Sequence, residues 1–134
     1  MNFSLTGRER MIKLKILESA ENYLETILVL QKRNGHVRSI DIANELDFTK
    51  PSISVAMKNL RQSGLIEIDA NGYISLLEEG QKIAETIYER HTILTNWLID
   101  IGVPSEIADE DACKIEHVIS EESFLAIKNQ YEHH

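Results

Sequence analysis

The sequence predicts a mainly α-helical chain: an N-terminal helix-turn-helix of three helices with a β-hairpin wing, followed by a second, helical domain. Three observations carry this. Between Ser39 and Gly64, two short amphipathic segments flank the turn residues Asp47-Phe48-Thr49. Directly after them, Leu65-Ile66-Glu67-Ile68 and Tyr73-Ile74-Ser75-Leu76 alternate on either side of Asp69-Ala70-Asn71-Gly72, the pattern of a hairpin. From about Glu78 to Ile101, apolar residues then recur at the spacing of one long helix.

In chain order, residues 1–17 mix Arg8, Arg10, Lys13 and Lys15 with Met11, Ile12, Leu14, Ile16 and Leu17. A disordered arm, a helical extension, and a contact to DNA or to a partner subunit all stay open there. Ser19 is an N-cap candidate for a helix running to about Arg33, with Tyr23, Leu24, Ile27, Leu28 and Leu30 as its apolar stripe and Gly35 as its stop. Asn22 and Glu25 lie three apart on the flank of that stripe. Ser39, with Asp41 in the first turn, is the next N-cap candidate, and Ile42, Ala43 and Leu46 form a short apolar face. Pro51 suits the first turn of the following helix, where its missing N–H costs nothing; Ile53, Met57 and Leu60 supply the core face and Gly64 the end. Gly102 and Pro104 close the long helix, and Ser105 is the cap candidate for a helix carrying Cys113, Glu116 and His117. A last helix, about Glu121 to Tyr131, offers Phe124, Leu125 and Ile127. So much apolar helix beside so small a first domain favours burial against a second copy of the chain.

The 134 residues suffice for one compact domain or two small ones. No apolar run reaches membrane-spanning length and no signal peptide is evident, which makes a cytoplasmic location the expectation and a membrane partner not expected. A single cysteine forms no internal disulfide, in keeping with a reducing compartment. The net charge of −8 is unevenly spread: residues 32–62 hold six basic and three acidic side chains, residues 63–134 four basic and fifteen acidic. The outward face of the helix after Thr49 (Lys50, Ser52, Ser54, Val55, Lys58 and Arg61) carries hydroxyls and cations but no acid, the composition of a surface that lies against phosphates and base edges. No phosphate loop, nucleophile elbow or Ser/His/Asp set is present, so an enzyme is not expected.

The densest chemistry is Cys113-Lys114-Ile115-Glu116-His117. Its cysteine, glutamate and histidine stand at i, i+3 and i+4, on one face of a helix, and thiolate, carboxylate and imidazole form a transition-metal ligand set. His91 lies in the long helix. His133 and His134 are assigned no role.

With this order of parts the chain resembles the DtxR/MntR family of metal-dependent transcriptional repressors, over about residues 19–130. Asp111–Ser120 looks like the stretch that supplies the family's regulatory ligands; Glu21-Asn22-Tyr23-Leu24-Glu25 and Arg90-His91 match two further signatures. The family's C-terminal SH3-like domain has no counterpart, as in its short members. The resemblance implies an N-terminal basic arm or extension (1–18), a winged helix-turn-helix DNA-binding domain (19–77) and a helical metal-binding and dimerisation domain (78–134). It implies Glu25, His91, Cys113, Glu116 and His117 as metal ligands. Asn22 departs from the pattern: iron-type members have methionine there and manganese-type members aspartate. Cys113 is iron-like, glutamate being usual in manganese-type members. Thr95 and Asp109 replace ligands of the long members' ancillary site. Thr49, Pro51, Ser52 and Ser54 match DNA-contacting positions, to which the basic surface adds Arg38, Lys50 and Lys58; Val55 stands where some members have glutamine.

The implied function is a homodimeric repressor of metal homeostasis that binds a double-stranded DNA operator when activated by Fe²⁺ or Mn²⁺, with Co²⁺, Ni²⁺ or Zn²⁺ also binding in vitro. Sulfur at position 113 and a neutral amide at 22 favour Fe²⁺. The alternative is a winged-helix regulator not gated by metal, with Cys113 redox-active or inert.

Overall fold

The computed structural model of the chain describes residues 6–133, without the side chains of residues 13–16. Its elements are α1 (Gly7–Asn34), α2 (Ser39–Leu46), α3 (Lys50–Gln62), β1 (Ile66–Ile68), β2 (Ile74–Leu76), α4 (Glu78–Asp100), α5 (Ser105–Ile115) and α6 (Glu121–Glu132). The chain divides after Ala84 into two compact units. No helix among the described residues is long and apolar enough to cross a membrane.

In the first unit, α1 is one helix of 28 residues. Thr6 caps it: its hydroxyl accepts from the Glu9 N–H at 3.1 Å while the Glu9 carboxylate accepts from the Thr6 N–H at 2.9 Å. Ser19 therefore lies inside the helix and is not its N-cap. Gly35 ends α1 in the left-handed region, at φ 83°. The cap position of α2 belongs to Arg38, not Ser39: the Asp41 carboxylate reaches back to accept from the Arg38 N–H at 2.8 Å. Asp47 closes α2 at φ 56°, and Thr49 caps α3 by accepting from the Ser52 N–H, with Pro51 in the first turn. β1 and β2 pair antiparallel, Ile66 opposite Leu76 and Ile68 opposite Ile74. Leu24, Ile27, Val37, Ile42, Ile53, Met57, Ile66, Ile74 and Ala84 form the core. The start of α4 packs so tightly on the entry to β1 that a Cβ on Gly80 would lie 2.1 Å from the Leu65 carbonyl oxygen.

In the second unit, Leu94, Ala112 and Phe124 are buried among Ile93, Trp97, Ile115, Ile119 and Ile127. Pro104 occupies the cap position of α5, so Ser105 is its first residue rather than its cap. Ser120 caps α6, its hydroxyl accepting from the Ser123 N–H at 3.1 Å. α5 stops at Ile115, short of Glu116 and His117. The Glu116 N–H still bonds Ala112 O, but the Val118 N–H closes a tighter turn on Ile115 O.

Candidate functional site

Glu116 is the focus of the second unit's polar interior. It stands at the C-terminal end of α5, and its residue is 0% exposed. One carboxylate oxygen, Oε2, meets Nδ1 of His91 on α4 at 2.7 Å. The other, Oε1, is buried with no hydrogen-bond partner among the described residues. Nε2 of His117 lies 3.4 Å from it, close enough for an ion-pair contact but without hydrogen-bond geometry. A buried carboxylate oxygen with no donor is costly, because it has given up water for nothing of equal strength.

His91 is held at both ring nitrogens. Its Nε2 meets Asp109 Oδ1 on α5 at 2.8 Å while Nδ1 meets Glu116. Both contacts are satisfied together only when a proton lies between each pair, so the ring is clamped between two carboxylates. The turn that carries Glu116 is fixed from α4: Nη1 of Arg90 donates to the carbonyl oxygens of Glu116 at 3.2 Å and Ile119 at 3.3 Å, and the guanidinium lies 5.5 Å from the centre of the Phe124 ring. Asp109 and Arg90 are the residues that motif reading did not bring to the site. The signal for Asp109 was present, since it stands one helical turn before Cys113 on α5, at i and i+4.

Burial separates the Cys113-Glu116-His117 triplet. The His117 side chain is 8% exposed and that of Glu116 0%, whereas Cys113 is exposed. In the first unit, Glu25 on α1 is buried at 9% exposure, unusual for a carboxylate. Asn22, one turn earlier, is half-buried, and its main-chain oxygen accepts from Thr26 Oγ1 at 2.8 Å.

The donor set fits a divalent cation. A carboxylate oxygen without a donor, a second imidazole beside it and a clamped histidine supply anionic and neutral ligands of the kind such ions take. Asp109, which holds the far nitrogen of His91, has the place of the carboxylate that orients metal-binding histidines.

The first unit carries a different surface. Thr49, Lys50, Pro51, Ser52, Ser54 and Lys58 are all exposed along α3, as is Arg38 ahead of α2. Ser39 and Ile40 of α2 line, with Lys50 and Ser54 of α3, one open surface cavity of about 210 Å³. Val55, in the middle of this face, is 61% exposed, so an apolar side chain is presented outward beside the hydroxyls.

Two family models match the chain: the N-terminal DNA binding domain of the iron dependent repressors over residues 15–73, and their metal binding and dimerisation domain over residues 77–134. The chain is 37% identical over 111 residues to the transcriptional regulator MntR of Escherichia coli, covering 83% of this chain and 72% of that protein. It is 29% identical over 109 residues to the iron-dependent repressor IdeR of Mycobacterium bovis, covering 81% of this chain and 47% of that protein. Among solved structures, a manganese-dependent transcriptional repressor in complex with manganese superposes with a TM-score of 0.77 at 22% identity, over 84% of this chain and 52% of that one. At that identity the likeness speaks to the fold, and the chain spans about half the length of that structure and of the manganese regulator SloR. A first unit with a helix-turn-helix and wing, and a second with a buried carboxylate-imidazole cluster, agree with both family models: the chain belongs to the iron-dependent repressor (DtxR/MntR) family of metal-regulated, DNA-binding transcriptional repressors, which are not enzymes.

Proposed function

We propose that this chain is a homodimeric repressor of metal homeostasis, acting in the cytoplasm, whose binding to a double-stranded DNA operator is switched on by Fe²⁺, with Mn²⁺ the next candidate. The observation that carries the reading is the buried Glu116 carboxylate with one oxygen lacking any donor. The ligands are Glu25 and the Asn22 amide oxygen from α1, His91 from α4, and Cys113, Glu116 and His117 from the end of α5. The ion, when bound, supplies positive charge and a fixed coordination geometry to these groups. Ligands drawn from three helices favour one arrangement of the chain over others, and that preference is what shifts the population towards the DNA-binding form. Residues 19–77 serve as the DNA-binding domain and 78–134 as the metal-binding and dimerisation domain.

The DNA surface consists of Thr49, Lys50, Pro51, Ser52, Ser54 and Lys58 of the α3 region, with Arg38. Short hydroxyl side chains at the N-terminal end of α3 suit close approach to base edges, while the lysines suit phosphates. The sulfur of Cys113 and the neutral amide of Asn22 favour Fe²⁺ over the harder Mn²⁺. The test is operator binding under anaerobic conditions, titrated with each ion and reversed by a chelator. A response to Mn²⁺ at lower free concentration than to Fe²⁺ overturns the preference, and binding indifferent to chelation overturns the switch.

A second reading takes its support from the exposure of Cys113: a regulator whose DNA affinity follows the oxidation state of that thiol rather than a metal. Cys113→Ser separates the two. Under the metal reading it moves the ion preference towards Mn²⁺; under the redox reading it removes the response to peroxide.

A further inference from the structure

The wing and the start of α2 are joined through an aromatic ring. The guanidinium carbon of Arg38 lies 4.3 Å from the centre of the Tyr73 ring, and the His36 ring packs on the same tyrosine at 5.2 Å between centroids. The backbone sets this stack. The Ile74 N–H donates to Val37 O at 2.8 Å, which lays residues 36–38 alongside β2. The wing turn is set by Asp69, whose Oδ1 accepts from the N–H groups of Asn71 at 2.8 Å and Tyr73 at 2.9 Å. The Arg38 N–H is itself fixed by Asp41.

Arg38 is exposed, and among the described residues it has no salt bridge to a carboxylate. Arg33, five residues earlier, shows the contrast: both its terminal nitrogens meet Glu45, at 3.0 and 3.2 Å, so its charge is answered within the protein. An arginine held over an aromatic ring spends no N–H donor on that contact and has already given up much of its side-chain freedom. The residue after Arg38, Ser39, lines the cavity shared with Lys50 and Ser54 of α3, so Arg38 adjoins in the chain a residue that borders the proposed DNA surface.

We propose that Tyr73 is a positioning residue for DNA binding, holding the Arg38 guanidinium ready to engage a backbone phosphate next to the groove that α3 enters. The proposal rests on the DNA-binding reading above. It assigns the wing's aromatic residue a part in affinity without any base contact of its own. A planar, pre-oriented guanidinium suits two phosphate oxygens at once, and the ordering of a long side chain on binding is reduced in advance.

The test uses the full chain with Fe²⁺ under anaerobic conditions and, in parallel, with Mn²⁺, and a short mixed-sequence duplex at low salt, with affinity measured across a salt series. If wild type fails to bind the duplex, the DNA-binding reading itself falls. If wild type binds, Arg38→Ala lowers the affinity by about tenfold and the dependence on log salt by about one unit. Tyr73→Ala lowers the affinity about threefold to fivefold, and Tyr73→Phe, which keeps the ring, retains most of it. On the Arg38→Ala background, Tyr73→Ala costs nothing further. An unchanged salt dependence in Arg38→Ala, or additive losses in the double variant, overturns the proposal while leaving DNA binding in place. Should Tyr73→Ala disturb the wing, as a lowered melting temperature would show, Arg38→Lys carries the test: it keeps the charge but not the planar stack. It retains the salt dependence and loses affinity about threefold, and affinity equal to wild type overturns the proposal.

Discussion

Glu116 sets opposite demands at the scale of a single residue. Its buried carboxylate keeps one oxygen unanswered, which weakens the chain when no cation is present and gives a cation something to bind. Glu116→Gln keeps the shape and removes the charge. We expect it to raise the ion concentration needed for half-maximal DNA binding by more than about tenfold, followed by fluorescence anisotropy of a labelled duplex. In chelator the same variant melts no lower than wild type, because the amide removes the cost of burying a charge that has a donor at only one of its oxygens; a melt several degrees lower would show that the Glu116 contact to His91 stabilises the metal-free fold. His117→Ala is expected to abolish activation by metal with the circular dichroism spectrum unchanged. A wild-type response to metal in that variant removes His117 from the site. Glu116 and His117 were legible in the sequence by residue type and spacing, whereas His91, alone in the long helix, entered only through the family resemblance. The burial that parts Cys113 from Glu116 and His117 was not, since it follows from which side of α5 meets α4 and α6 rather than from spacing along α5. Nor was the Asp109 contact, which needs the His91 ring in place before it means anything.

At the scale of the element, the sequence marks helix starts through side chains, and its ambiguity lies in which residue does the capping. Thr49 and Pro51 act together at α3 as their types suggest. At α2 the working side chain is Asp41, three residues in, so the cap position falls one residue earlier than the serine indicated. At α1 the Thr6-x-x-Glu9 box was present in the sequence, but the mixed basic and apolar stretch after it blurred the apolar stripe that would have extended the helix back to Gly7. Thr49→Ala removes the acceptor for the Ser52 N–H and is expected to cost about 1 kcal/mol in urea denaturation. Gly80→Ala is expected to cost more, about 2 kcal/mol or above, because the added carbon meets a main-chain oxygen that cannot swing aside. A neutral result there would mean that α4 and the β1 entry separate easily.

For the whole molecule, the order of parts was the most legible feature. Turn chemistry and periodicity are local, and a helix-turn-helix with hairpin needs little more than local signals to be recognised. Assembly is less local, because it depends on apolar surface such as Ile101, Ile107, Val118 and Leu125, each at least half exposed in the single chain. Sedimentation equilibrium is expected to give twice the 15.3 kDa of the chain, and Val118→Glu to shift the mass towards one copy if that residue faces the partner. A monomer at micromolar concentration would count against the dimeric reading. The lone cysteine has a use that follows from its solitude. A maleimide attaches to Cys113 alone, so a native dimer gains zero, one or two adducts, each resolved by intact-mass spectrometry. Adducts blocked by metal then count occupied protomers one molecule at a time. The proportion of singly labelled dimers at half saturation distinguishes all-or-none loading from independent filling of the two sites.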